Sequence, residues 1–168
     1  MASYSGLNKQ QRIRCRDRVV QAALLAYNRK GNCHYTRGGR RWDGIANHRN
    51  ARRGQYPYYT DCSAFVTWCL WNGLKLSFNK DDIVNKCAWK AGFTGTLIKN
   101  GKRVTKIGSV QRGDVMIYGQ RGTNGSHAAI VVKVVKGVPY VISMGSESGP
   151  HYVRYNYRRD LMQIRRYI

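Results

Sequence analysis

Acidic side chains are scarce in this chain. Eight Asp and Glu stand against thirty Lys and Arg, for a net charge of +22, and Glu147 is the only glutamate. A general need for solubility does not call for such an excess. The basic runs Arg12–Arg18, Arg37–Arg53, Lys99–Lys106 and Arg154–Arg166 suit a polyanion as partner: nucleic acid, anionic membrane or anionic cell wall. Long apolar runs are missing too. None near Met1 resembles a signal peptide and none is long enough to span a bilayer, so the expected place of synthesis is the cytoplasm. No C-x-x-C pair occurs among the five cysteines, an odd number, which argues against zinc and against a disulfide framework. A chain of 168 residues buries a core without either. Cys15, Cys69 and Cys87 fall in apolar-patterned stretches and read as small core residues. Cys33, beside His34 in a loop, is the one position where a metal is conceivable, and no cofactor is called for. No internal repeat or linker divides residues 1–168, so one domain is expected.

What is present reads as helices first and strands afterwards. Residues 8–30 carry Ile13, Val20, Leu24 and Tyr27 on one helical stripe, ended by Gly31-Asn32. From Cys33 to Tyr59 the chain is polar, basic and Gly-rich, yet its aromatic residues argue against disorder. A buried helix is expected over Cys62–Trp71, closed by Asn72-Gly73. A shorter one is expected over Lys80–Lys90, with Asp81 and Asp82 at its positive end. Leu97–Thr105 reads as a hairpin turning at Asn100-Gly101. Strands are expected at 115–118, 128–135 and 139–143 (around a turn at Gly137), 152–157 and 161–167. The fold class is therefore α+β.

Chemistry concentrates at Asp61-Cys62-Ser63-Ala64-Phe65-Val66. A cysteine in the first helical turn meets unpaired N–H groups and the positive end of the helix dipole, which is expected to lower its pKa. His127 opens the most apolar strand after a Gly-rich loop and is the candidate base. His34, His48 and His151 lie in polar, loop-like contexts and are read as non-catalytic.

These segments resemble the NlpC/P60 cysteine peptidases. Asp61-Cys62-Ser63-Ala64-Phe65-Val66 is similar to their Asp-Cys-Ser-Gly-Phe-Val signature. Gly113-Asp114-Val115-Met116-Ile117-Tyr118 resembles their Gly-Asp-Leu-Val-Phe-Phe strand. Ser126-His127-Ala128-Ala129-Ile130-Val131 resembles Gly-His-Val-Gly-Ile-Tyr, and Tyr35-Thr36-Arg37-Gly38-Gly39 resembles Tyr-x-x-Gly-Gly. The motifs keep the family's order across residues 33–147. CHAP amidases and peptidases share the cysteine-then-histidine order, so the boundary between the two groups is soft.

The resemblance implies a papain-like fold with Cys62 on a helix N-terminus facing His127 on the sheet. It implies cleavage of peptidoglycan peptide bonds, with Tyr35 at the oxyanion site and Asp61 fixing the local turn. It also implies a polar third residue that orients His127. The matching strand offers Ser143 or Met144, according to register, and Glu147 just past its end is placed ahead of Ser143. Anionic peptidoglycan gives the basic surface a use without a separate wall-binding module. Together these features look like a monomeric phage endolysin that a holin releases onto the wall, or a virion-associated lysin. An N-acetylmuramoyl-L-alanine amidase and a papain-like acyltransferase or deamidase are the alternatives. A basic nucleic-acid-binding module is the remote one.

Overall fold

The computed structural model describes residues 4–80, 84, 88–145 and 149–168. Helix α1, Lys9–Asn28, opens on Asn8, whose side chain accepts from the Gln11 N–H while the Gln11 side chain accepts from the Asn8 N–H, both at 2.9 Å. This reciprocal cap satisfies two N–H groups that a helix start leaves open. Between α1 and the central helix lie two short strands, β1 (His34–Tyr35) and β2 (Tyr59–Thr60), which pair in parallel, and a one-turn helix α2 (Asp43–Ala46). The stretch read as one long polar loop is thus built of short ordered pieces.

Helix α3 spans Cys62–Phe78 and is buried continuously from Cys62 to Leu74. It does not stop at Asn72-Gly73, as the sequence suggests, but ends on Asn79 in the left-handed region (φ 47°). Gly73 is a contact and not a stop. A Cβ there would stand 2.5 Å from Val19 Cγ2 and 2.8 Å from the Cys15 carbonyl oxygen, so only glycine lets α1 pack this closely on α3. Asn72 is likewise taken up by tertiary contacts: its side chain accepts from the Ala51 N–H at 2.9 Å and donates to the Trp68 carbonyl at 3.0 Å.

The helix expected over 80–90 lies mostly outside the described residues. Within them, Val84 is buried and Trp89–Ala91 form a 3-10 turn. The hairpin expected at 97–105 is replaced by helix α4 (Thr94–Lys99) and strand β3 (Lys102–Val104), joined through Gly101 at φ 73°. Thr96 Oγ1 donates to the Phe93 carbonyl and Asn100 Nδ2 to the Thr96 carbonyl, both at 2.8 Å, which holds the helical turn, and Leu97 is fully buried.

Strands β4 (Val115–Tyr118), β5 (His127–Val135), β6 (Val138–Gly145), β7 (Gly149–Arg154) and β8 (Leu161–Arg166) complete an antiparallel sheet in the order β3-β8-β4-β5-β6-β7. The strand expected over 152–157 ends at Arg154, and Tyr155–Tyr157 turn off as a 3-10 helix. Val115, Ile117, Ala128, Ile130, Ile142 and Met144 pack with α1 and α3 in the main core. Met116, Tyr118, Ala129, Val131 and Val141 form a second cluster on the other face. The period of two along each strand separates these sets. Asp114, buried just before β4, is forked by Arg166 at 2.8 and 2.7 Å and accepts from the Gln111 N–H at 2.8 Å, tying β4 to β8. No helix among the described residues is long and apolar enough to cross a membrane. The α+β class read from the sequence is the class observed.

Candidate active site

The N-terminus of α3 is held from below. Asp61 is its N-cap and accepts from the Ala64 N–H at 2.8 Å, the turn-fixing role expected of it. Arg41 forks onto the same carboxylate, Nε to Oδ2 at 2.5 Å and Nη2 to Oδ1 at 2.9 Å, and Nη2 also reaches Ser63 Oγ at 2.9 Å. Arg41 is buried, with its guanidinium 4.3 Å from the ring centres of both Trp42 and Phe93. Sequence reasoning missed this residue. In the run from Arg37 to Arg53 only its neighbour Trp42 marks it, and that signal is faint.

Cys62 is the first residue of α3 and is 7% exposed. The backbone N–H groups of Ala128, the residue after His127, and of Ser63 favour its thiolate electrostatically. The lowered thiol pKa expected from the helix start is not what the site produces. Burial, and then the Asp61 carboxylate, push the thiol above its ordinary value, and the two N–H groups and Arg41 only partly offset them. The helix-start effect is present but is outweighed by desolvation. Burial takes Cys15 and Cys33 up to about 12 and raises Cys69 well above its ordinary value. All three are buried, Cys33 included, and Cys87 lies outside the described residues.

His127 begins β5 and is 8% exposed. Its Nε2 meets Ser143 Oγ at 2.5 Å, and Ser143 Oγ meets the Tyr157 hydroxyl at 2.9 Å. The register explains the choice between Ser143 and Met144. Ser143 lies opposite Ala129, two residues from His127 and on the same face, whereas Met144 enters the main core. Glu147, placed ahead of Ser143 in the sequence reading, lies outside the described residues; Ser143 is the residue that meets the histidine. The rings of Tyr118 and Tyr157 stand 6.0 and 6.4 Å from the imidazole. Nothing in the sequence pattern singles out Tyr157. The 3-10 turn that ends β7 early is what returns its hydroxyl to Ser143.

A cleft of about 460 Å³ opens over His127 and Ser143, bordered by Tyr35, Arg37, His151 and Tyr157. Tyr35 sits on β1 in register with Thr60, two residues before Cys62, so the β1–β2 ribbon brings it to the cleft. His151, read from sequence as a loop histidine, is on β7 opposite Ser143 and lines the cleft. His34 packs on Tyr59 and His48 on Trp71, away from this lining. His127, Ser143 and Tyr35 are thus gathered at the cleft from β5, β6 and β1, and Cys62 begins α3 two residues after Thr60, the partner of Tyr35. With Nε2–H donating to Ser143, a neutral imidazole has its acceptor on Nδ1, the arrangement a base needs.

A family model described as CHAP domain matches residues 51–145, a span that holds Cys62, His127 and Ser143 but not Tyr35. Among solved structures, NlpC2 from Trichomonas vaginalis superposes with a TM-score of 0.56 at 17% identity, covering 89% of this chain and 47% of that one. NlpC1 from the same organism superposes with a TM-score of 0.56 at 18% identity, covering 89% of this chain and 44% of that one. This chain therefore spans less than half the length of either, and at such identities the likeness is one of fold. That fold is the papain-like α+β arrangement expected from the motifs. No curated protein sequence matches this chain.

Proposed function

We propose that this chain, which belongs to the CHAP domain family, is a peptidoglycan hydrolase that cuts an amide bond with Cys62 as nucleophile and His127 as base. The observation that carries the reading is the His127 Nε2 to Ser143 Oγ contact at 2.5 Å on the cleft that Tyr35 borders, with Cys62 as the first residue of α3. A thiol with a raised pKa holds its proton at neutral pH, so the thiolate forms by transfer to His127 Nδ1 as the substrate carbonyl arrives. Sulfur then bonds to the carbonyl carbon and the carbonyl electrons move onto oxygen. The Cys62 backbone N–H and Tyr35 are assigned to that oxyanion. Collapse breaks the C–N bond, with the His127 proton going to the leaving amine. Water, deprotonated by His127, then releases the acyl group and restores the thiol. Ser143 orients His127 throughout.

The bond assigned is a peptide bond of the stem peptide or cross-link, ahead of the sugar–peptide amide that an N-acetylmuramoyl-L-alanine amidase cuts. The +22 charge supports direct attachment to an anionic wall. The biological role that unites these features is that of a phage lysin made in the host cytoplasm and let out by a holin, or carried on the virion. Purified cell walls test the reading. Turbidity should fall with the native protein and not with Cys62→Ala, and mass analysis should find new amino termini within the peptide. Intact stem peptides freed from glycan would establish the amidase instead. Walls unchanged by folded native protein would end the hydrolase reading.

A further inference from the structure

Two guanidinium groups border the cleft over His127 and Ser143, and their situations differ. Arg158 is engaged: it forks onto Asp160 at 2.9 and 2.7 Å and reaches Ser126 Oγ at 3.4 Å. Arg37 is exposed, and its hydrogen bond runs from Nε to the Tyr35 hydroxyl at 3.3 Å, leaving both terminal nitrogens without a partner among the described residues. Asp61, a carboxylate that acts on it electrostatically, is already satisfied by Arg41 and the Ala64 N–H. No carboxylate occurs among the described residues that line the cleft.

The position of Arg37 is set by the backbone. Tyr35 is in register with Thr60, and the Thr36 N–H donates to the Thr60 carbonyl at 2.9 Å. Cys62 follows Thr60 by two residues, as Arg37 follows Tyr35. The ribbon therefore brings the guanidinium to the cleft that His127 and Ser143 line, where Cys62 and Asp61 act on it electrostatically. A planar fork with two free amino groups, steadied at Nε by a tyrosine, matches a carboxylate in two parallel hydrogen bonds.

We propose that Arg37 is a specificity-determining residue that binds a free carboxylate of the substrate beside the scissile amide. This deepens the hydrolase reading and rests on it. The preferred substrate is then an anionic peptide whose carboxyl group at that place is not amidated. Wall peptides with a carboxamide there are poor substrates.

Soluble peptidoglycan fragments test this in two forms, native and with their carboxyl groups converted to carboxamides by carbodiimide and ammonia. The native protein should show kcat/KM about tenfold higher on the carboxylate form, the size expected of one charge-assisted bidentate contact at a partly open site. Arg37→Gln should lose that preference, chiefly through KM, and cleave the amidated form as the native protein does. Arg37→Lys should restore part of it. Lys133→Gln, an exposed charge six residues along β5 from His127, should keep the full preference, which separates a local contact from the overall charge. Equal cleavage of both forms by the native protein, or an unchanged preference in Arg37→Gln, overturns the assignment while leaving the hydrolase standing. Cleavage of neither form by native protein brings down the hydrolase reading and this assignment with it.

Discussion

Replacing Ser143 by alanine removes the oxygen that His127 Nε2 meets at 2.5 Å and leaves the Tyr157 hydroxyl without that partner. The effect on rate depends on how the hydrogen bond changes during the reaction. A neutral imidazole N–H to a hydroxyl contributes about 0.5–1.5 kcal/mol, and an imidazolium N–H about 1.5–3 kcal/mol. In the proposed mechanism His127 takes up a proton on the way to the transition state. The difference, about 1–1.5 kcal/mol, enters the barrier and corresponds to a roughly 5- to 13-fold loss of kcat. KM should hardly move, because the bond strengthens only after the proton has arrived. Tyr157→Phe acts one bond further away and should cost roughly two- to threefold, by the same reasoning applied to a bond between neutral groups. Ser143→Thr keeps the hydroxyl and suits a strand, so it should recover most of the rate. The assay is release of amino groups from soluble fragments, with kcat and KM measured separately for the four proteins. A Ser143→Ala protein with kcat within a factor of two of native would refute the orienting role.

Two further outcomes are expected. Arg41→Met keeps a side chain between Trp42 and Phe93 but leaves the Asp61 carboxylate unpaired, so urea unfolding should show a loss of about 3–5 kcal/mol, as for other buried pairs broken on one side; a loss below about 1 kcal/mol would mean that water replaces the arginine. Cys62 should be alkylated by iodoacetamide ahead of Cys15, Cys33 and Cys69, being 7% exposed against 0–1%. A raised thiol pKa means less thiolate at neutral pH and more as pH climbs, so the rate at Cys62 should still be rising above pH ~8.5, the ordinary thiol midpoint. A plateau below pH 7 would show a preformed thiolate and contradict the balance of burial over helix-start stabilisation.

Cys62 and His127 were legible as the openings of a helix and a strand because each is announced locally. Cys62 follows a capping aspartate and opens an apolar run, and His127 opens a β-branched one. These are signals of period and of helix and strand starts, which depend on neighbours a few residues away. The places where the reading departed from the structure share another cause. Asn72-Gly73 looks like a stop until α1 arrives to need the missing Cβ at Gly73. The second arm of the expected hairpin at 97–105 is a strand whose partner, β8, lies about sixty residues on. The expected fall in the thiol pKa ignored the burial that only packing imposes.

The same division runs through the site. By itself the sequence determined the α+β class, the places of Cys62 and His127 at the starts of a helix and a strand, and a basic composition suited to a polyanion. The tertiary structure alone decided that Ser143 and not Met144 meets His127, that Arg41 and not Arg37 or Arg40 is drawn beneath Asp61, and that Arg37 is left open at the cleft. Register across β5 and β6 and the pairing of β1 with β2 join residues far apart in the chain. A local pattern carries no record of which of several like side chains will be brought to the partner.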